Sequence, residues 1–166
     1  RVFRDVADVG EKLEKLADVV GTTVRPDVAL IYDWENTWAM NDAQGPRRGD
    51  KGYLELCKRH YRALWAKGIP VDVIDETQDV SKYKLLIAPM LYMIRPGVDA
   101  RIAEFVKNGG TLVITYWSGI VNETDLVYLG GWPGGKLREV QGIWAEELDA
   151  LTKVDTNTLV PEADNG

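Results

Sequence analysis

The chain is short of the residues that most often do chemistry. It has one cysteine, Cys57, and one histidine, His60, among 166 residues. A lone cysteine excludes an internal disulfide, and with a single imidazole beside it there is no Cys/His set from which to build a zinc site. Neither G-x-G-x-x-G nor G-x-x-x-x-G-K-[ST] occurs, so a dinucleotide and a nucleoside triphosphate both lack their usual glycine cradle. No cofactor or metal is expected. No apolar run approaches the ~20 residues that would span a bilayer, and the N-terminus lacks the basic-then-apolar form of a secretory signal. A cytoplasmic protein with no membrane partner is the expectation. Basic residues are also in deficit: 20 Lys and Arg against 26 Asp and Glu give a net charge of −6. Without a Lys/Arg stripe there is nothing to attract a phosphate backbone, which argues against nucleic acid as a partner.

What remains is the composition of a globular domain, 45% hydrophobic and 28% charged, and the length suits one core rather than two. Val2, Val6, Val9, Leu13, Leu16 and Val20 recur at helical spacing and predict an amphipathic helix over residues 1–20. Val28 to Tyr32 is a short continuous apolar run, the mark of a strand buried on both faces. A loop at 41–52 leads to a helix marked by Tyr53, Leu54, Cys57, Tyr61, Leu64 and Trp65, ended by Gly68. Strands follow at 70–74 and 85–88, then a helix opened by Pro96 and closed by Gly109-Gly110, then a strand at 111–116. This alternation predicts an α/β fold, three-layer and Rossmann-like or flavodoxin-like, on a mostly parallel sheet. From Ser118 onward the pattern reads as mixed loop and partial helix, over 137–151.

Ligands of open α/β sheets bind at the carboxyl ends of strands. After the first predicted strand comes Asp33-Trp34-Glu35-Asn36-Thr37-Trp38. Asp33 and Glu35 could be a glycosidase pair with Trp34 and Trp38 as sugar platforms. However, catalytic carboxylates must flank the scissile bond, and side chains two apart on one turn seldom do. Thr115-Tyr116-Trp117-Ser118-Gly119 fails as a G-x-S-x-G nucleophile elbow because Tyr116 stands where the first glycine is needed. Cys57 falls on the core-facing stripe of its helix, and His60 beside it reads as a surface residue. An amidotransferase-like or esterase-like hydrolase working through Ser118 or Cys57 remains an alternative, as does a sugar-binding module on Trp34 and Trp38. Aromatic and methionine side chains at predicted loop positions make up the remaining signal. Trp38, Met40, Tyr92, Met93, Trp117 and Trp132 are the candidates for a subunit contact.

Several stretches resemble one family. Val28-Ala29-Leu30-Ile31-Tyr32-Asp33 with Glu35-Asn36 and Trp38, Tyr61-Arg62-Ala63-Leu64, Gly68-Ile69-Pro70-Val71-Asp72 and Tyr83-Lys84-Leu85-Leu86-Ile87-Ala88-Pro89 begin the series. Gly109-Gly110-Thr111-Leu112-Val113, Ser118-Gly119-Ile120-Val121-Asn122-Glu123, Leu129-Gly130-Gly131, Pro133-Gly134 and Leu137-Arg138 continue it. Over roughly residues 25–151 their order and spacing resemble the middle domain of family 42 glycoside hydrolases, the bacterial β-galactosidases.

The resemblance implies a catalytic (β/α)8 barrel before this domain and a small β domain after it. It implies a role in forming a homotrimer, and a fold like that of class I glutamine amidotransferases without their triad. In that family hydrolysis is retaining and both glutamates lie in the barrel, so no catalytic residue transfers to this chain. Residues 1–24 then read as the terminal helix and linker of the preceding barrel, and 25–166 as the trimerisation domain, cut short at its C-terminal end. The expected partners are identical subunits and the barrel of the same chain.

Overall fold

The structure, a computed structural model, describes residues 2–45, 48–151, 154–156 and 158. Its centre is a sheet of four parallel strands, β1 (Val28–Ile31), β2 (Val71–Ile74), β3 (Leu85–Ala88) and, last in the chain, β5 (Thr111–Ile114). Their order is β2-β1-β3-β5. Every residue of β1 is buried, as an uninterrupted apolar run requires when helices cover both faces. Val28 and Leu30 point into one core layer and Ala29 and Ile31 into the other, the period-two alternation of a strand.

Two helices cover the first face: α2 (Trp34–Asp42) and α3 (Tyr53–Trp65). The second face is covered by α4 (Val98–Lys107), through Val98, Ile102 and Phe105, and by the short α5 (Leu137–Gln141), through Leu137. A minor parallel pair, β4 (Met93–Ile94) with β6 (Val121–Asn122), lies beyond the ends of β3 and β5. The result is the three-layer α/β arrangement expected from the alternating pattern.

Several expectations change in detail. Asp33 to Trp38 forms the start of α2 rather than a loop. The Asp33 side chain caps that helix by accepting the Asn36 N–H, which satisfies one of the donors a helix start leaves unpaired. In the mixed loop and helix expected over 137–151 the helical part is one turn long and stops at Gly142, φ 64°, a left-handed conformation that glycine adopts without a Cβ penalty. At the other end, α1 (Val2–Glu14) and a 3-10 turn (Ala17–Val19) contain no buried residue. Their apolar stripe lies open, with Phe3 86% and Leu13 62% exposed.

The contact candidates also need correction. Met40, Tyr92, Met93 and Trp117 are 1–8% exposed and belong to the core layer under α2 and α3. Tyr92 and Trp117 pack ring to ring at 4.6 Å. Loop and minor-strand residues beyond the sheet converge under α2 to extend the core, so these four side chains are already desolvated within one chain. Trp132 is half-buried against the same layer. Trp38 stays 62% exposed.

Candidate functional site

In a sheet ordered β2-β1-β3-β5, the crevice between the carboxyl ends of β1 and β3 is where strand order reverses and ligands most often bind. The chain fills that crevice itself. The Asp33 N–H donates to the Tyr53 hydroxyl at 3.1 Å, and Asp33 Oδ1 accepts from the Asn36 N–H at 2.9 Å. Asn36 is fully buried; its Nδ2 donates to the Met90 carbonyl at 3.0 Å and its Oδ1 accepts from the Met93 N–H at 2.9 Å. One amide thus fastens α2 to the segment between β3 and β4.

That segment turns sharply. Met90, two residues past β3, has φ 41°, an uncommon conformation for a residue with a side chain and the kind of strained strand-to-helix turn on which a hydrolase exposes its nucleophile. Here the side chain is a buried thioether. The N–H after such a nucleophile would have to serve an oxyanion, but the Leu91 N–H donates to Ser118 Oγ at 3.0 Å and the Met90 N–H donates to Thr115 Oγ1 at 2.8 Å. The Ser118 hydroxyl in turn donates to the Thr115 carbonyl at 2.9 Å. Ser118 therefore holds the turn closed rather than standing ready to attack. Cys57 lies on the buried face of α3, and burial pushes its thiol up to about 11, the opposite of activation.

Outside this seal lies a charged cluster that sequence inspection did not anticipate. Arg95, just after β4, contacts four carboxylates. Its Nη2 meets Asp33 Oδ2 and both oxygens of Asp75, the latter at 2.8 Å; its Nε donates to Glu76 Oε1 at 2.6 Å, and Nη1 lies 3.6 Å from Glu35. Burial raises Glu76 to about 7, more than the hydrogen bonds from Arg95 can offset. Burial also raises Asp33, helped by its shared hydrogen bond with Asp75. For Asp75 burial acts upward too, but the hydrogen bonds with Asp33, Thr77 and Arg95 outweigh it and hold this carboxyl far below the usual range.

Burial would lower the guanidinium of Arg95, yet Glu76 and Asp75 keep it firmly charged. Among the described residues no three His, Cys, Asp or Glu side chains are grouped to hold a metal ion. Asp33 is 1% exposed whereas Glu35 faces outward, so the two cannot flank a sugar bond together.

Two of the concave surfaces lie beside the helices of the first face. A groove of about 450 Å³ runs between α3 and the β1–β2 edge, floored by Leu30 and Val73, walled by Leu54, Tyr61 and Trp65, with Lys58 and Arg62 at its lip. Beside α2, a cleft of about 350 Å³ brings Trp38, Ala39 and Met93 together with Glu35, Asp42 and Asp125. An aromatic run connects them: Tyr32 stacks on Tyr53 at 5.5 Å and meets Trp34 edge-on at 5.7 Å, and Trp34 lies 6.4 Å from Trp38. Trp65, 67% exposed, is a large apolar surface residue that the contact candidates omitted.

Residues 26–166 match the family model described as the β-galactosidase trimerisation domain. The chain belongs to that family. Its relatives include β-galactosidase Pbg of Clostridium perfringens, 64% identical over 165 residues, an alignment covering 99% of this chain and 24% of that protein. Among solved structures, the cold-adapted β-galactosidase of a Rahnella species is 56% identical with TM-score 0.80, covering 93% of this chain and 22% of that one. A family 42 β-galactosidase of G. stearothermophilus, solved as a catalytic mutant, is 53% identical with the same TM-score, 0.80. This trimerisation-domain chain spans about a quarter of the length of the curated relatives it matches.

Proposed function

We propose that this chain is the non-catalytic assembly domain of a β-galactosidase that hydrolyses terminal β-D-galactosides, and that it holds three copies of its parent protein in a ring. The observation that carries the reading is the match of residues 26–166 to the trimerisation-domain family. The closed crevice supports it: where an enzyme on this fold would keep a nucleophile and oxyanion donors, this chain has Met90 and N–H groups already given to Thr115 and Ser118. Catalysis then belongs to another part of the parent.

In this reading residues 1–24 form the terminal helix and linker of a preceding barrel, whose surface would cover the apolar stripe that α1 leaves open here. The bacterial cytoplasm is the compartment proposed, which suits a free thiol at Cys57. No helix among the described residues is long and apolar enough to cross a membrane.

Light scattering on a sizing column across a concentration series tests the assembly role. A mass near three times 18.6 kDa is expected; a steady 18.6 kDa would overturn trimerisation by this chain. One observation favours a second reading, since Trp34 and Trp38 are an adjacent pair of indoles, 60% and 62% exposed, as a sugar platform would be. Tryptophan fluorescence that does not respond to high galactose or lactose would dispose of it.

A further inference from the structure

A closed ring of three is built from one heterologous contact used three times, so each subunit must offer two different patches that fit one another. The two outward surfaces differ in kind. The α3–β2 groove is apolar, and Trp65, Leu54 and Val73 around it are 67%, 47% and 54% exposed. Its lip is cationic. Lys58 is already engaged by Glu55 at 2.8 Å, while Arg62 extends from the last turn of the same helix. The α2 cleft is the complement: the exposed indole of Trp38 stands among Glu35, Asp42 and Asp125.

We propose that these two surfaces bind each other between copies of this chain, Trp38 and Trp34 of one copy entering the α3–β2 groove of the next while Arg62 at the groove's lip enters the acid-walled cleft beside Trp38. The pairing rests on the trimerisation reading above and names the contact that would carry it. A guanidinium suits the cleft because it can lie on an indole face and still hydrogen-bond to carboxylates, which an ammonium does less well. Asp125 is raised by burial and further by the charge of Asp42, so the cleft holds like charges that an incoming cation relieves. The groove's volume of about 450 Å³ lies in the range of pockets that enclose ligands larger than one ring. The aromatic run from Tyr32 through Trp34 to Trp38 puts groove and cleft on one continuous face, which suits a small ring, where both contacts of a subunit converge near the axis.

The test is a charge swap read by light scattering. Arg62→Glu and Asp42→Arg are each expected to raise the concentration at which half the chain is trimeric by tenfold or more. The double variant, which restores opposite charges at positions 62 and 42 while Glu35 and Asp125 stay acidic, is expected to recover part of that loss. Trp38→Asp should give monomers across the series. Because Arg62, Asp42 and Trp38 are exposed side chains, far-ultraviolet circular dichroism should be unchanged in all four variants. A trimeric parent chain whose variants all keep its concentration profile overturns this contact and leaves the assembly role standing, and single losses without rescue in the double variant likewise overturn the charge pairing. A parent chain that is monomeric throughout overturns the assembly role and the contact together.

Discussion

Arg95 and Glu76 share one oxygen. Glu76 Oε1 accepts both the Arg95 Nε–H at 2.6 Å and the Arg95 backbone N–H at 3.2 Å, and Oε2 is buried with no partner among the described residues. A carboxylate satisfied on one side only is held by a strong charged hydrogen bond and penalised by its own desolvation, and here desolvation wins, raising Glu76 from 4.5 to about 7. A raised carboxyl makes the folded state bind the proton more tightly than the unfolded chain does. Its stabilising effect is therefore complete below pH 4.5 and is lost as pH rises through about 7.

At about 1.4 kcal/mol per unit, the loss is about 3 kcal/mol. Asp33 acts in the same direction, while the lowered Asp75 acts oppositely, its contribution fading only as pH falls below 3.8. Urea unfolding at pH 5 and pH 7.5 should show the parent chain losing stability relative to Glu76→Gln over that window. Parallel pH profiles for the two chains would refute the assignment.

Removing the cation should be worse than altering one anion. Arg95→Met would leave Asp33 and Glu76, both nearly inaccessible, without the charge that offsets their burial. Breaking a buried ion pair from one side typically costs about 3–5 kcal/mol. The expected result is a large fall in the urea midpoint at pH 7.5, and a smaller fall at pH 5, where Glu76 carries its proton. A pH-independent loss would indicate that Arg95 acts by packing alone.

The four strands of the main sheet and the two long helices packed on it could be read from the sequence because each is a local pattern; the two-residue strands β4 and β6 could not. β1 is a bare apolar run, and α3 and α4 each carry a one-sided apolar stripe. α2 was not legible in the same way. Its buried residues Asn36, Ala39 and Met40 share one face, but the first is an amide and the exposed face carries Trp34 and Trp38, so no apolar stripe shows in the sequence, and its one local signal was the capping aspartate. The Arg95 cluster was invisible because its members, at positions 33, 35, 75, 76 and 95, follow three different strands and meet only once the parallel sheet has aligned their ends. The aromatic and methionine residues at predicted loop positions misled for a related reason. A loop beyond a sheet edge is ordinarily wet, but α2, β4 and β6 roof this one over, so Met40, Tyr92, Met93 and Trp117 became core.

Asn36 tests that roof. Its side chain makes the two bonds that fasten α2 to the turn after β3. Asn36→Ala removes both; the Met90 carbonyl keeps the Tyr92 N–H at 2.7 Å, but the Met93 N–H is stranded away from water. An unpaired buried donor costs about 1–3 kcal/mol, so a loss of about that size is expected in thermal or urea unfolding. Native-state hydrogen exchange should also show the Met93 amide opening well before the amides of β1 and β3. Unchanged protection at Met93 would mean that the hydrophobic layer, not the amide, holds α2 in place.

Cys57 offers a direct check on the rival hydrolase reading. Reaction with an electrophile needs thiolate, and a thiol pushed up to about 11 is ionised in on the order of one molecule in ten thousand at pH 7, against a few per cent for an unperturbed cysteine. The side chain is also only 4% exposed, on the buried face of α3. Iodoacetamide should therefore label the native chain at least a hundredfold more slowly than a free thiol. What labelling occurs should accelerate with low urea, because the rate would follow opening of α3 rather than the chemistry of the thiol. Labelling of the native chain faster than free cysteine, insensitive to urea, would instead identify an activated nucleophile and reopen the possibility of catalysis on this domain.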